Sequence, residues 1–318
     1  MRRKLLVIAT FLLGVVALCA CSAPPSAQEV SPYTVRVVAT RNFGQELVFD
    51  RLVEITEGTP AMEALKQVAQ VETSYGGGFV SSINGICSEY APGSSLKQDW
   101  FFYINGIMSN VGALDYILHR GDMEHWDFHS WSFHTFIPAI IGAFPETFQS
   151  GFGGKASPTL IVFSDNLRQV AQDLESQLAR MGVNSVGLRG SSELRQSEKE
   201  TSNLILLGTV DENLVSELNR NWRRLGFFAY IEGGSIVILN ARGEAAARYG
   251  TGVGLIQATQ NPWNPKGVGS GESVVWMVTG TDETGVREAA SALISRRPEL
   301  RYAYAAVVIN GQIVKVPQ

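Results

Sequence analysis

The chain has 318 residues, enough for two ordinary domains, and its 45% hydrophobic and 18% charged residues exclude a disordered or fibrous protein. The formal net charge of −4 leaves no basic excess for phosphate contacts, so nucleic acid is not an expected partner. Three cysteines are too few for a disulfide scaffold.

The chain opens on Arg2, Arg3 and Lys4, followed by a charge-free run from Leu5 to Ala20. That run is shorter than the ~20 apolar residues of a membrane-spanning helix. A basic start, an apolar run and small residues at its end read as a secretory signal. The ending Leu18-Cys19-Ala20-Cys21 resembles the bacterial lipobox, whose last cysteine is acylated and becomes the first residue. The resemblance implies that residues 1–21 are a lipoprotein signal and that Cys21 carries lipid. The chain would then be anchored to a membrane outside the cytoplasm. Losing the three basic residues of the signal takes the formal charge from −4 to −7 and leaves Cys87 as the sole free thiol. Residues 22–32 are small, polar and Pro-containing and read as a tether.

Residues 33–131 read as a first domain. Tyr33 to Ala39 and Leu47 to Ile55 alternate as strands do. Gly58-Thr59-Pro60 then opens a helix, with Thr59 as N-cap and Met62, Leu65, Val68 and Ala69 as its apolar stripe. Gly76-Gly77-Gly78 stops that helix, and Phe79 to Ile83 and Trp100 to Ile104 are further strands. Asn84-Gly85 and Asn105-Gly106 between apolar runs are hairpin turns, because a type I′ turn needs positive φ at both central residues. Residues 132–157, rich in Pro, Gly and Phe, read as an extended linker packed on a domain surface. Residues 158–318 alternate strand and helix and form an α/β domain with a mixed sheet. Its helices follow Leu160 to Phe163, Asn203 to Val210 and Ser273 to Thr279, with Asp211 and Thr281 at the starts of the last two. Two hairpins turn at Gly233-Gly234 and Asn310-Gly311. The fold class is therefore α+β.

No phosphate loop, nucleophile elbow, C-x-x-C or H-E-x-x-H occurs, and the chain is not expected to be an enzyme. All four histidines lie between His119 and His134. On an extended strand His125, Asp127 and His129 share one face, with Trp126 and Phe128 on the other. That face could bind a divalent metal, serve a metal-dependent hydrolase or touch a ligand directly; the plainer alternative is a solvent-facing polar side with aromatics inward. The aromatics from Trp100 to Tyr103 and from Trp126 to Phe133 are core or a flat platform for a large amphipathic ligand.

Several runs together carry a family resemblance: Glu57-Gly58-Thr59, Tyr75 to Gly85, Trp100 to Gly106, Asp115-Tyr116 and Gly121-Asp122. They resemble the β-grasp C-terminal domain of the transcobalamin and intrinsic factor carriers and the bacterial domain family designated DUF4430. The resemblance implies a β-grasp-like, or ubiquitin-like, domain that presents a ligand platform. Gly77, Gly78, Phe79, Trp100, Tyr103 and Asn105 would face ligand, and cobalamin or another corrinoid is the class implied. The carriers pair this domain with an α-helical barrel, whereas here an α/β domain follows. Trp126 to Trp131, Gly142 to Glu146, Val278 to Asp282 and Tyr302 to Pro317 resemble bacterial proteins associated with energy-coupling-factor type uptake, which implies a membrane transporter as partner. The other function left open is a surface adhesion or assembly module without a small ligand.

Overall fold

A computed structural model describes residues 31–89 and 97–318. The signal, Cys21 and nearly all of the tether lie outside the described residues. The first part of the chain contains β1 (Tyr33–Arg41), β2 (Glu46–Ile55), α1 (Ala61–Val68), β3 (Val71–Ser74), β4 (Phe79–Ile83), β5 (Ile86–Cys87), β6 (Gln98–Ile104), β7 (Ile107–Met108) and β8 (Met123–Ser130). A short α2 (Glu146–Gln149) follows. Then come β9 (Thr159–Phe163), α3 (Arg168–Arg180), β10 (Val186–Gly190), α4 (Gln196–Thr201), β11 (Asn203–Leu207) and α5 (Asn213–Arg220). The chain closes with β12 (Ala229–Glu232), β13 (Ser235–Leu239), β14 (Ala245–Tyr249), β15 (Gly254–Gln260), β16 (Val274–Gly280), α6 (Glu283–Ile294), β17 (Ala305–Ile309) and β18 (Gln312–Val316).

The fold is α+β. One mixed sheet runs β2-β1-β8-β6-β7, with β1 and β8 parallel at its centre and α1 across one face. This is the β-grasp arrangement the motifs imply. The predicted turns are there: Asn84-Gly85 joins β4 to β5 and Asn105-Gly106 joins β6 to β7, each with positive φ at both positions. Helix α1 starts one residue later than the capping pattern implies. Pro60 is its N-cap, and the Thr59 hydroxyl instead donates 2.8 Å to the Thr56 carbonyl.

The second sheet has seven strands in the order β10-β9-β11-β16-β15-β17-β18, parallel through β16 and antiparallel beyond it. Side chains alternate between its two faces. Ile161, Phe163, Ile205 and Trp276 face α3 and α6, whereas Leu160, Val162, Leu206 and Met277 face α5 and the β12-β13-β14 sheet. The second of these cores also takes in Phe43, Tyr103 and Met108 from the β-grasp half. The two halves therefore share apolar interior, and residues 32–318 form one compact unit.

Two segments join the halves. The middle of the run 132–157 is interior, while Phe136 and the segment around Lys155 stay exposed. Ile137 and Ile140 enter one core, and Ala139, Ile141 and Phe148 enter the other. Gln260 at the end of β15 acts as a staple. Its amide donates to the carbonyls of Met108 (3.2 Å) and Pro138 (3.0 Å), and its carbonyl oxygen accepts from Gly269 and Gly271 N–H, both at 2.9 Å. Gly44, in the β1–β2 turn with φ +75°, lies so close to the Tyr302 backbone that a Cβ there would sit 1.7 Å from its carbonyl oxygen. Gly44→Ala is thus expected to cost about 2–3 kcal/mol, from backbone strain plus overpacking. A urea melt checks this; a loss below ~0.5 kcal/mol would show that the contact is easily relieved.

Candidate functional site

Strand β8 supplies the polar face expected of it, but that face is not solvent-exposed. His125, Asp127 and His129 are buried between the β-grasp sheet and the seven-stranded sheet. The carboxylate of Asp127 is the hub. It accepts from the Thr40 hydroxyl (2.5 Å), Phe43 N–H (3.0 Å), Gly44 N–H (2.9 Å) and His129 Nδ1 (2.7 Å). Since Thr40 donates to Asp127, its hydroxyl oxygen accepts from His125 Nε2 at 2.7 Å, which fixes that tautomer. The His129 ring is stacked between Phe43 and Phe101 at 4.4 and 4.1 Å, and the Tyr304 hydroxyl lies 3.2 Å from its Nδ1.

Electrostatics follow from this burial. Burial alone would raise the Asp127 carboxyl. The His129 hydrogen bond, the two imidazoles and the Thr40 hydroxyl outweigh it and hold the group below the usual carboxylate range. Burial pushes His125 down to about 4 against the attraction of Asp127, so its neutral form is the folded form. On the opposite face of β8, burial pushes Glu124 up to about 8, aided by Asp122 and opposed by the Trp126 indole N–H, which donates to it at 2.6 Å.

The metal expectation for His125, Asp127 and His129 is therefore corrected. They share a face, but one nitrogen of each imidazole and both Asp127 oxygens are engaged within the protein. Among the described residues no group of three or more His, Cys, Asp or Glu is placed to hold a metal ion. The alternative of a solvent-facing polar strand side is corrected too. A second sheet covers that face, and no spacing within residues 123–130 announces it. His134 is also interior, with Nε2 3.0 Å from the Phe227 carbonyl.

The six residues implied as ligand-facing separate into two groups. Trp100, Tyr103 and Asn105 are buried, each in a different place. Trp100 lies in the core under α1, where its indole N–H donates 2.9 Å to the Ile86 carbonyl. Tyr103 points into the interior between the two halves, 5.8 Å from the Tyr304 ring. Asn105 ties the turn before β7. Its amide donates to Asp122 and to the Gly151 carbonyl, both at 2.8 Å, and its side-chain oxygen accepts from Met123 N–H. None of the three is a surface contact, which corrects their expected role.

Gly77, Gly78 and Phe79 stay at the surface, on a turn that other residues complete. Tyr75, Gly76 and Gly77 run with φ of +52°, +72° and +97°. For tyrosine that conformation is costly. Tyr75 is nevertheless 91% exposed, with its ring edge-on to Phe79, 6.1 Å away and 38% exposed. The loop after β7 lies alongside. Leu114 packs under Gly77, and Leu114 and Val111 are 38% and 44% exposed. Two aromatic rings and two aliphatic side chains thus form an apolar lip on a constrained backbone. In the sequence Tyr75 carried the signal only as a motif letter; Val111 and Leu114 are separated from it by more than thirty residues.

Residues 58–130 match the model of a family described as a domain of unknown function (DUF4430). This is the first domain the motifs imply. No curated protein matches the chain. Among solved structures, haptocorrin in complex with Cbi aligns at 13% identity and a TM-score of 0.26, covering 32% of this chain and 26% of that one. The chain therefore spans about a quarter of that protein's length. A "putative metal binding protein" from Ruminococcus gnavus ATCC 29149 aligns at 16% identity and a TM-score of 0.24, covering 31% of this chain and 97% of that one. Likenesses of this size carry no argument about ligand or activity.

Proposed function

We propose that this protein is a non-catalytic binding protein that captures an amphipathic small molecule on the lip formed by Tyr75, Gly77, Gly78, Phe79, Val111 and Leu114. The observation that carries the reading is Tyr75. A 91% exposed aromatic ring held at φ +52° spends folding energy and returns only an edge contact with Phe79, which is the behaviour of a residue kept for a contact with something else. Two exposed rings set edge to face, with one phenolic hydroxyl, offer apolar area and a polar tip to an amphipathic ligand, and a corrinoid is the class to test first. The signal-like start and Cys21 support anchoring by lipid on the outer side of a membrane, where the protein would pass its ligand to an energy-coupling-factor type transporter.

The test is titration of residues 22–318 with cobalamin and cobinamide, followed by calorimetry. We expect saturable binding that falls at least tenfold in Tyr75→Ser/Phe79→Ser, with the melting temperature unchanged within ~2 °C because neither ring is in a core. Binding that survives the double substitution would remove the lip from the reading. Absence of binding to either corrinoid would remove the ligand class.

A second reading rests on β2, the outer strand of its sheet, where Leu47 and Leu52 are 55% and 74% exposed. An apolar strand edge of this kind fits a protein partner that adds a strand, as in an adhesion or assembly module. Crosslinking on intact cells through a probe at position 52 distinguishes it.

A further inference from the structure

The parallel half of the large sheet has a switch point. From β9 the chain passes through α3 to β10 at the sheet edge, and α3 packs on the face that carries Ile161 and Phe163. From β11, on the other side of β9, it leaves through α5, which packs on the opposite face with Val162 and Leu206. Connections that leave neighbouring parallel strands in opposite directions, over opposite faces, cannot close the space between them at the strands' carboxyl ends. A cavity of about 160 Å³ lies there.

Its lining has a definite chemistry. Val162, Leu206 and Val215 are apolar, Ser191 and Ser192 bring hydroxyls, and Glu212 is the only charged group. The Glu212 carboxylate is held in place. The Ser164 hydroxyl after β9 donates 2.8 Å to its Oε1. Gly208 after β11 gives it room, since a Cβ there would come within 2.7 Å of Glu212 Cγ. Glu212 occupies the N-cap position of α5, but its side chain bonds no helix N–H, and among the described residues no cation pairs with it. The result is a fixed carboxylate without an ion-pair partner above a small apolar floor.

We infer that this cavity binds a small primary amine, whose ammonium group sits on Glu212 while a short apolar body lies against Val162, Leu206 and Val215. The hydroxyls of Ser191 and Ser192 accept further N–H donors from the same group. The cavity is below the several hundred Å³ of sites for drug-sized ligands, so the occupant is a compact molecule. The lip around Tyr75 belongs to the other half of the chain, so this site stands or falls separately from it.

The probe is n-butylammonium, with n-butyrate and n-butanol as comparisons at matched ionic strength, on the full chain. We expect butylammonium at millimolar concentration to raise the melting temperature saturably. It should also slow hydrogen exchange in peptides spanning 188–194 and 206–216, and butyrate should do neither. Glu212→Gln keeps an acceptor for Ser164 and is expected to weaken the effect at least tenfold, whereas Tyr75→Ser should leave it intact. Equal responses to butylammonium and butyrate would overturn the inference. So would full retention in Glu212→Gln, or protection absent from both peptides.

Discussion

Asp127→Ala is expected to lower the stability of the fold by about 3–5 kcal/mol, the range for removing one partner from a buried charged network. The reason is the number of donors left behind. Thr40, Phe43 N–H, Gly44 N–H and His129 all donate to this one carboxylate, which is fully buried. Asp127→Asn should cost less but not little, because the amide keeps acceptor capacity on one side and turns a donor toward donors on the other. Urea denaturation of both variants at pH 7 measures the difference. A loss under ~1 kcal/mol for the alanine variant would mean that the seam relaxes around the gap.

Glu124→Gln is expected to stabilise the protein at alkaline pH. The Glu124 carboxyl titrates near 8 when folded and near 4.5 when unfolded. Between those values the folded state holds a proton that the unfolded state has released. Stability from this group is therefore complete below pH ~4.5 and is lost as pH rises through 8. Glutamine keeps the acceptor for the Trp126 indole and has no proton to lose. The variant should match the parent near pH 4 and exceed it at pH 9, by up to about 5 kcal/mol less the cost of an unsatisfied amide N–H. His125 works in the opposite sense. Its folded value near 4 lies below its unfolded 6.5, so the stability it confers is present above 6.5 and fades as pH falls toward 4. Denaturation midpoints of parent and Glu124→Gln from pH 4 to 9 separate the two groups. Parallel curves would show that Glu124 does not titrate in this range.

Much of the fold is legible in local pattern because local pattern causes it. Asn-Gly turns demand positive φ, and Asn84, Asn105 and Asn310 all adopt it. Val170, Ala171, Leu174 and Leu178 of α3 and Val286, Ala289, Ala290 and Leu293 of α6 recur at helical spacing, and all of them are core. Strand β15 was not read. It is buried along its whole length, but Gln257, Thr259 and Gln260 break its apolar run, and the carbonyls that accept from the Gln260 amide lie over a hundred residues away. The N-caps Glu212 and Asp282 fall one residue beyond the expected Asp211 and Thr281; Asp282 fits the capping pattern as well as Thr281 and accepts from Gly285 N–H, whereas Glu212 makes no side-chain cap bond. The site was legible only in part. The glycine turn is visible, but the burial of Tyr103 depends on which side of the β-grasp sheet the second half covers, whereas Tyr75 stays exposed on the separate β3–β4 turn. No local spacing encodes that choice.

The position of β1 bears on what can be cut from this molecule. It lies between β2 and β8, in the middle of its sheet, yet it precedes the residues 58–130 that define the recognised domain. A fragment starting at residue 58 would leave β8 with a raw edge, and one ending at residue 130 would lay bare Tyr103 and Met108, which the second half now covers. The matched segment 58–130 is thus shorter than the sheet it belongs to. Both cuts fall inside the single compact unit of residues 32–318.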